Sequence, residues 1–112
     1  WKTLEMYLGM TQVEVDKSGV YRGTNEGNKL KGLTHSWCSG TSGCGESGFN
    51  ASPAGGRYTD GSLDYVGSIG FWWTSTLRGS NALHRNLNSG YAGVSRDTSW
   101  QAAGRSVRCL LG

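Results

Sequence analysis

The chain has too few aliphatic side chains to build an ordinary core. Leu, Ile, Val and Phe together number 19 among 112 residues, and glycine alone equals them with 19. A strongly charged chain with so little aliphatic surface would stay disordered. This one has a net charge of only +3 and carries five Trp and five Tyr, whose large rings can supply the missing burial. The expectation is one domain over residues 1–112 with one modest core. No run of about 18 apolar residues occurs, so no membrane span is expected. No basic-then-apolar leader is present, and the chain starts at Trp1 rather than Met, which is the start expected of a mature or incomplete chain.

Charge is unevenly placed. Residues 1–56 hold five Lys or Arg against five Asp or Glu, whereas residues 57–112 hold six Arg, three Asp and no Lys. The whole excess is therefore arginine in the second half. Arginine there can meet an anionic partner or make bidentate structural bonds, and the structural reading is the weightier. The density of basic residues is below that of a nucleic-acid footprint, so no nucleic-acid partner is expected.

The pattern changes once along the chain. Trp1, Leu4 and Leu8 recur at helical spacing and Gly9 is a stop signal. Thr11 to Glu14 has the spacing of a capping box, predicting a short second helix that ends near Ser18-Gly19. Thr24-Asn25-Glu26 opens a third short turn carrying Leu30. Residues 32–48 form a Gly/Ser/Thr loop containing Trp37 and two cysteines. From residue 49 onward short strands are predicted at 49–51, 70–76, 82–87, 92–96 and 106–111, separated by glycines. Helices first and strands afterwards favour an α+β fold with an antiparallel sheet, and the glycines imply tight, irregular turns.

Cys38 and Cys44 lie six residues apart, and a local bridge between them is reasonable. The competing reading joins Cys109 to one of them. A metal site is the poorest reading, since no CxxC occurs and His35 and His84 lie far apart. A disulfide implies an oxidising, extracellular setting. Cys109 shares a strand face with Val107 and Leu111, which predicts a buried free thiol.

Nothing in the sequence argues for an enzyme. Cys38 and His35 are close only in sequence, which falls short of a nucleophile–base pair. No GxSxG elbow occurs. Glu46, Asp60, Asp64 and Asp97 are the carboxylates open to a hydrolytic pair, and they read better as exposed turn residues. Phosphate-loop and dinucleotide fingerprints are missing, and no cofactor is expected.

Six strings occur in a characteristic order: Glu26-Gly27-Asn28-Lys29-Leu30-Lys31, Glu46-Ser47-Gly48-Phe49-Asn50-Ala51, Pro53-Ala54-Gly55-Gly56-Arg57, Gly70-Phe71-Trp72-Trp73-Thr74-Ser75-Thr76, Asn81-Ala82 with Arg85 and Leu87, and Gly104-Arg105-Ser106-Val107-Arg108-Cys109. Together they resemble the Fibrobacter succinogenes major paralogous domain, a family of bacterial surface and secreted modules. Trp1-Lys2-Thr3-Leu4 is similar to the helix that follows an Arg-Leu-Pro-Thr segment in that family, so the resemblance implies that the domain's first strand lies outside this chain. It also implies a fold similar to C-type lectins and formylglycine-generating enzymes, with short helices packed on a twisted antiparallel sheet and long irregular loops. Two family transfers fail. The Glu-Pro-Asn and Trp-Asn-Asp strings of calcium-dependent lectins are missing, and calcium needs six to eight oxygen ligands. The reactive cysteine pair of formylglycine-generating enzymes is reduced to Cys109.

Strand alternation places Phe71 and Trp73 opposite Trp72. With Phe71 and Trp73 inward, Trp72 is expected nearer the surface; the alternative reading buries both tryptophans. In the next strand Leu83, Arg85 and Leu87 should face inward, with Arg85 in a buried structural contact, and His84 and Asn86 outward. Tyr91, Arg96 and Trp100 fall in or beside loops rich in Ser and Asn. The six residues Trp72, His84, Asn86, Tyr91, Arg96 and Trp100 thus form the expected ligand-facing set, mixing rigid rings with small polar groups as antibody loops do. The expected function is calcium-independent recognition of a protein or glycan at a bacterial surface. The alternatives are a structural subunit of an extracellular filament, pilus or coat, which would bury the same face against copies of itself, and a target protein diversified by a retroelement.

Overall fold

The structure, a computed structural model, describes residues 1–40 and 42–111. Three short helices, α1 (Lys2–Tyr7), α2 (Gln12–Asp16) and α3 (Glu26–Leu30), all lie within the first 31 residues, as expected. The strands are β1 (Gly19–Arg22), β2 (Gly56–Arg57), β3 (Leu63–Asp64), β4 (Ile69–Arg78), β5 (Asn81–Asn88) and β6 (Val94–Trp100). Four form an antiparallel sheet in the order β1-β6-β5-β4, and β2 pairs with β3 as a separate hairpin. The fold is α+β.

Helices do not simply precede strands. β1 is inserted between α2 and α3 and pairs with β6 through an irregular register. The irregularity sits at Tyr21, whose φ of 51° takes a strand residue into the left-handed region. The expected strands at 70–76, 82–87 and 92–96 correspond to β4, β5 and β6, with β6 displaced toward the C-terminus. The expected strands at 49–51 and 106–111 reduce to single bridges, Ala51 with Lys31 and Ser106 with Trp72.

Thr11 caps α2 by accepting from the Glu14 amide at 3.2 Å. Only half of the capping box forms, because the Glu14 carboxylate turns away to accept from Lys17 Nζ and Gly23 N. α3 is docked by close approach: the Asn28 amide donates to Ala92 O at 3.1 Å, and a Cβ on Gly27 would collide with Gly93 O. Lys31, which follows α3, is fully buried. It donates to Asn88 O, Tyr91 O and Asn28 Oδ1 and lies 5.4 Å from the Trp37 ring centre. Burial lowers its pKa to about 8.

The pairings Trp72–Arg85 and Arg85–Arg96 place Trp72, Arg85 and Arg96 on one face of the sheet. On that face Trp72 and Leu87 pack with Leu8, Val15, Leu30 and Val94. Trp72 is 4% exposed, so the expectation that it approaches the surface is overturned. Its ring folds back over Gly70, where any Cβ would strike it. Trp72 also lies 6.4 Å from Trp1 and 6.1 Å from Phe49, ring centre to ring centre.

The apolar stripe of α1 contains one charged residue. Glu5 is completely buried and bridges two buried arginines. Arg85 grips it with two hydrogen bonds of 3.2 Å, and Arg22 donates a further one. Arg22 also donates to Val15 O and Glu14 O. One carboxylate thereby ties α1, α2, β1 and β5 together. Arg85 faces inward into a structural ion pair, as expected.

Cys38 and Cys44 are bridged, with Cα atoms 6.0 Å apart. Cys109 is free but exposed, which corrects the buried thiol expected for it. The chain leaves the sheet after Ser106, so strand alternation no longer decides which side chains face inward.

Two outcomes follow from this architecture. Glu5→Gln should lower folding stability by about 3–5 kcal/mol, because two guanidinium groups lose their shared counter-ion in the interior. A loss below about 1 kcal/mol in urea unfolding would show that the bridge contributes little. A thiol reagent should label one cysteine in the native protein, and denaturation without reductant should expose no other. Three thiols would contradict the bridge.

Candidate functional site

The six residues expected to face a ligand do not form one patch. Trp72 is core. His84 is also 4% exposed, on the opposite face of the sheet, with its ring 5.5 Å from Phe71. The outward reading of His84 fails because this second face is covered too, by the β2–β3 hairpin and the segment after β6. Asn86 is half-buried on the same face, opposite Phe71 in register. Arg96 is half-buried and donates to Asp16 O at 3.3 Å and Ser18 Oγ at 3.1 Å, fixing the end of α2 to the sheet. Tyr91 is 49% exposed, but one face of its ring stacks on Tyr21 at 3.7 Å. Trp100 is 69% exposed. Tyr91 precedes β6 and Trp100 ends it, so the strand separates them by about 20 Å.

The structure gathers a different set around Trp100. A shallow groove of about 260 Å³ opens between the end of β6 and the β2–β3 hairpin, lined among others by Tyr58, Asn81, Thr98, Ser99, Trp100 and Arg105. Local hydrogen bonds build both walls. Ala103 N donates to Trp100 O at 2.9 Å, and Gln101 Nε2 donates to Ser80 O, which fixes the turn presenting the indole. Arg57 and Gly104 exchange backbone hydrogen bonds of 3.0 and 2.8 Å, which ties the hairpin to that turn. Tyr58, 47% exposed, is oriented by its hydroxyl, which donates to Asp64 at 3.0 Å. That hydrogen bond raises the phenol pKa.

The floor holds a few polar groups. The Arg105 guanidinium lies 4.3 Å from the Phe71 ring centre and 5.9 Å from that of Trp73. It donates to Ser99 Oγ at 3.0 Å and Gly104 O at 3.1 Å. Ser99 Oγ is also 3.4 Å from His84 Nδ1. A hydroxyl that accepts from Arg105 is free to donate to an imidazole nitrogen. Burial, followed by the charge of Arg105, lowers the His84 pKa to about 4. The imidazole is therefore neutral at physiological pH.

The sequence points to Trp100 and its loop but not to Tyr58, Asn81 or Arg105. The available signal was weak: Arg105 and Arg57 stand within strings shared with the family, but each reads equally well as a packing residue. Among the described residues no group of three or more His, Cys, Asp or Glu converges to hold a metal ion. No helix among them is long and apolar enough to cross a membrane.

His84 gives the groove a measurable pH signature. The unfolded chain binds a proton on His84 near pH 6.5, whereas the folded chain binds it only near pH 4. Between these values the unfolded state holds more protons, so stability falls as the pH is lowered. The loss due to His84 is on the order of 3 kcal/mol across the window. The fall in urea midpoint from pH 7 to pH 4.5 should be smaller in His84→Gln than in the unaltered protein. Equal falls would show that the imidazole is not held neutral.

Neither a curated protein nor a solved structure matches the chain. The Fibrobacter succinogenes major domain matches residues 1–110, nearly the whole length, in agreement with the six ordered strings. The chain belongs to the Fibrobacter succinogenes major domain family.

Proposed function

We propose that this domain is a non-enzymatic, calcium-independent recognition module of an extracellular bacterial surface protein. In this reading its α+β fold is of the C-type-lectin-like kind and its ligand is a glycan. The observation that carries the reading is the exposed Trp100 ring set with Tyr58 along a groove that is mostly apolar and holds a few polar groups, Arg105 among them. Exposed rings offer apolar faces to sugar rings, and Asn81 and Thr98 offer hydrogen-bonding groups to hydroxyls. A protein partner would instead seek a dry pocket for an aromatic or aliphatic anchor. The Cys38–Cys44 bridge supports an oxidising compartment. A catalytic use of Ser99 and His84 has little support. The imidazole is a weak base at a pKa of about 4, and the hydroxyl is engaged by Arg105.

The filament or coat reading is favoured by a separate observation. Val107, Leu110 and Leu111 are strongly exposed, and exposed apolar side chains close together in sequence suit contact between copies. A monomer by sedimentation at high concentration would count against it.

Trp100→Ala should weaken retardation of the protein in gels containing a bound polysaccharide by about thirtyfold in affinity, with the melting temperature nearly unchanged. Trp72→Ala should do the reverse and lower stability by about 3–5 kcal/mol. Binding untouched by Trp100→Ala would contradict the groove as the recognition site.

A further inference from the structure

Among the described residues Arg105 has no acidic partner, and of the arginines that share this property it is the one that lines the groove. The ion pairs among the described residues join Lys2 to Asp16, Lys17 to Glu14, and Arg22 and Arg85 to Glu5. None involves Arg105. Its two hydrogen bonds go to neutral oxygens, Ser99 Oγ and Gly104 O; Nε is buried without a partner among the described residues, so the N–H groups left for an outside anion are the second ones on Nη1 and Nη2. The ring of Phe71 beneath it and the Gly104 carbonyl beside it fix the guanidinium plane. Glycine at position 56 leaves room for it, since a Cβ there would collide with Nη1. A half-buried guanidinium that is held rigidly and has no counter-ion among the described residues is preorganised for an anion from outside. Its planar fork matches a carboxylate, which it can bind through two parallel hydrogen bonds.

Other polar groups of the groove are also free. The Asn81 amide and the Thr98 hydroxyl make no side-chain hydrogen bond among the described residues, and both line the same opening. A volume of about 260 Å³ lies below the range of about 300–1,000 Å³ usual for drug-sized ligands. It suits a single ring-sized unit lying against Trp100 or Tyr58.

We propose that the glycan taken by the Trp100 groove is acidic, and that Arg105 binds the carboxylate of a hexuronate unit. This inference rests on the groove being the recognition site. Trp100 and Tyr58 supply ring contact, Asn81 and Thr98 meet hydroxyls, and Ser99 positions Arg105.

The test uses polygalacturonate and alginate, each as the free acid and as its methyl ester, with binding followed by tryptophan fluorescence and affinity electrophoresis. At least one free acid should bind, and its ester about ten- to a hundredfold more weakly. Arg105→Gln should bind acid and ester alike, Arg105→Lys should keep part of the preference, and Trp100→Ala should lose both forms. Melting curves will show whether the Arg105 variants are folded. If Arg105→Gln does not fold, the acid–ester difference in the unaltered protein decides the matter. Equal binding of acid and ester, abolished by Trp100→Ala, would overturn the carboxylate assignment and leave the recognition groove standing. No binding of any of the four polymers would overturn the inference; retention of the recognition reading would then depend on a neutral polysaccharide whose binding Trp100→Ala removes.

Discussion

The Glu5 carboxylate is the point on which the architecture depends. It sits in the interior with arginines from β1 and β5 on either side. An ionised carboxylate cannot remain in such a place without partners, and neither can the arginines. The three groups must therefore meet, which brings α1 onto the sheet at one position. A purely apolar contact between a six-residue helix and a sheet could slide. The clamp also explains how a chain with few aliphatic residues keeps a defined core: orientation comes from the ion cluster, and bulk comes from rings such as Trp72, Trp1 and Phe49.

Fixing α1 and α2 on one face leaves the other face of the sheet to the hairpin and the segment after β6. Both contribute little regular structure, and Arg105 holds them against Phe71 and Trp73. Arginine has more than one use in the sheet, and on the helical face Arg96 bonds only to neutral oxygens at and just after the end of α2. On the helical face Arg22 and Arg85 are neutralised by Glu5, whereas on the hairpin face Arg105 meets only neutral oxygens and aromatic rings. Trp72 belongs to packing, while Trp100 projects from a turn stabilised by backbone hydrogen bonds.

Elements with a repeating pattern were legible in the sequence. The Trp1–Leu4–Leu8 stripe, the Thr11 cap, the central strands and the inward set Leu83, Arg85 and Leu87 all follow from spacing. Glu5 was not read as buried, although it lies on the same stripe, because a carboxylate there is ordinarily solvated. In β4 the expected burial of Phe71 holds, but Trp72 is buried as well, for a related reason. Alternation assumes one covered face, and here both faces are covered, so Phe71, Trp72 and His84 are buried together. Gly70 was the overlooked cue, as it makes the space into which Trp72 folds. The two-residue strands β2 and β3 carry no period, and with them the walls of the groove escaped notice. The C-terminal tail misled in the opposite direction, since its alternation has no sheet to act on.

The central claim is that recognition is confined to the hairpin face, at the end of β6. The five indole N–H signals of Trp1, Trp37, Trp72, Trp73 and Trp100 in a nitrogen–proton NMR spectrum, together with the Arg105 side-chain signal, report on it directly. During titration with polygalacturonate, the Trp100 and Arg105 signals should move most and Trp73 less, while Trp1, Trp37 and Trp72 stay in place. Shifts centred on the Tyr21–Tyr91 stack, or shifts of the core indoles with Trp100 unmoved, would contradict the account.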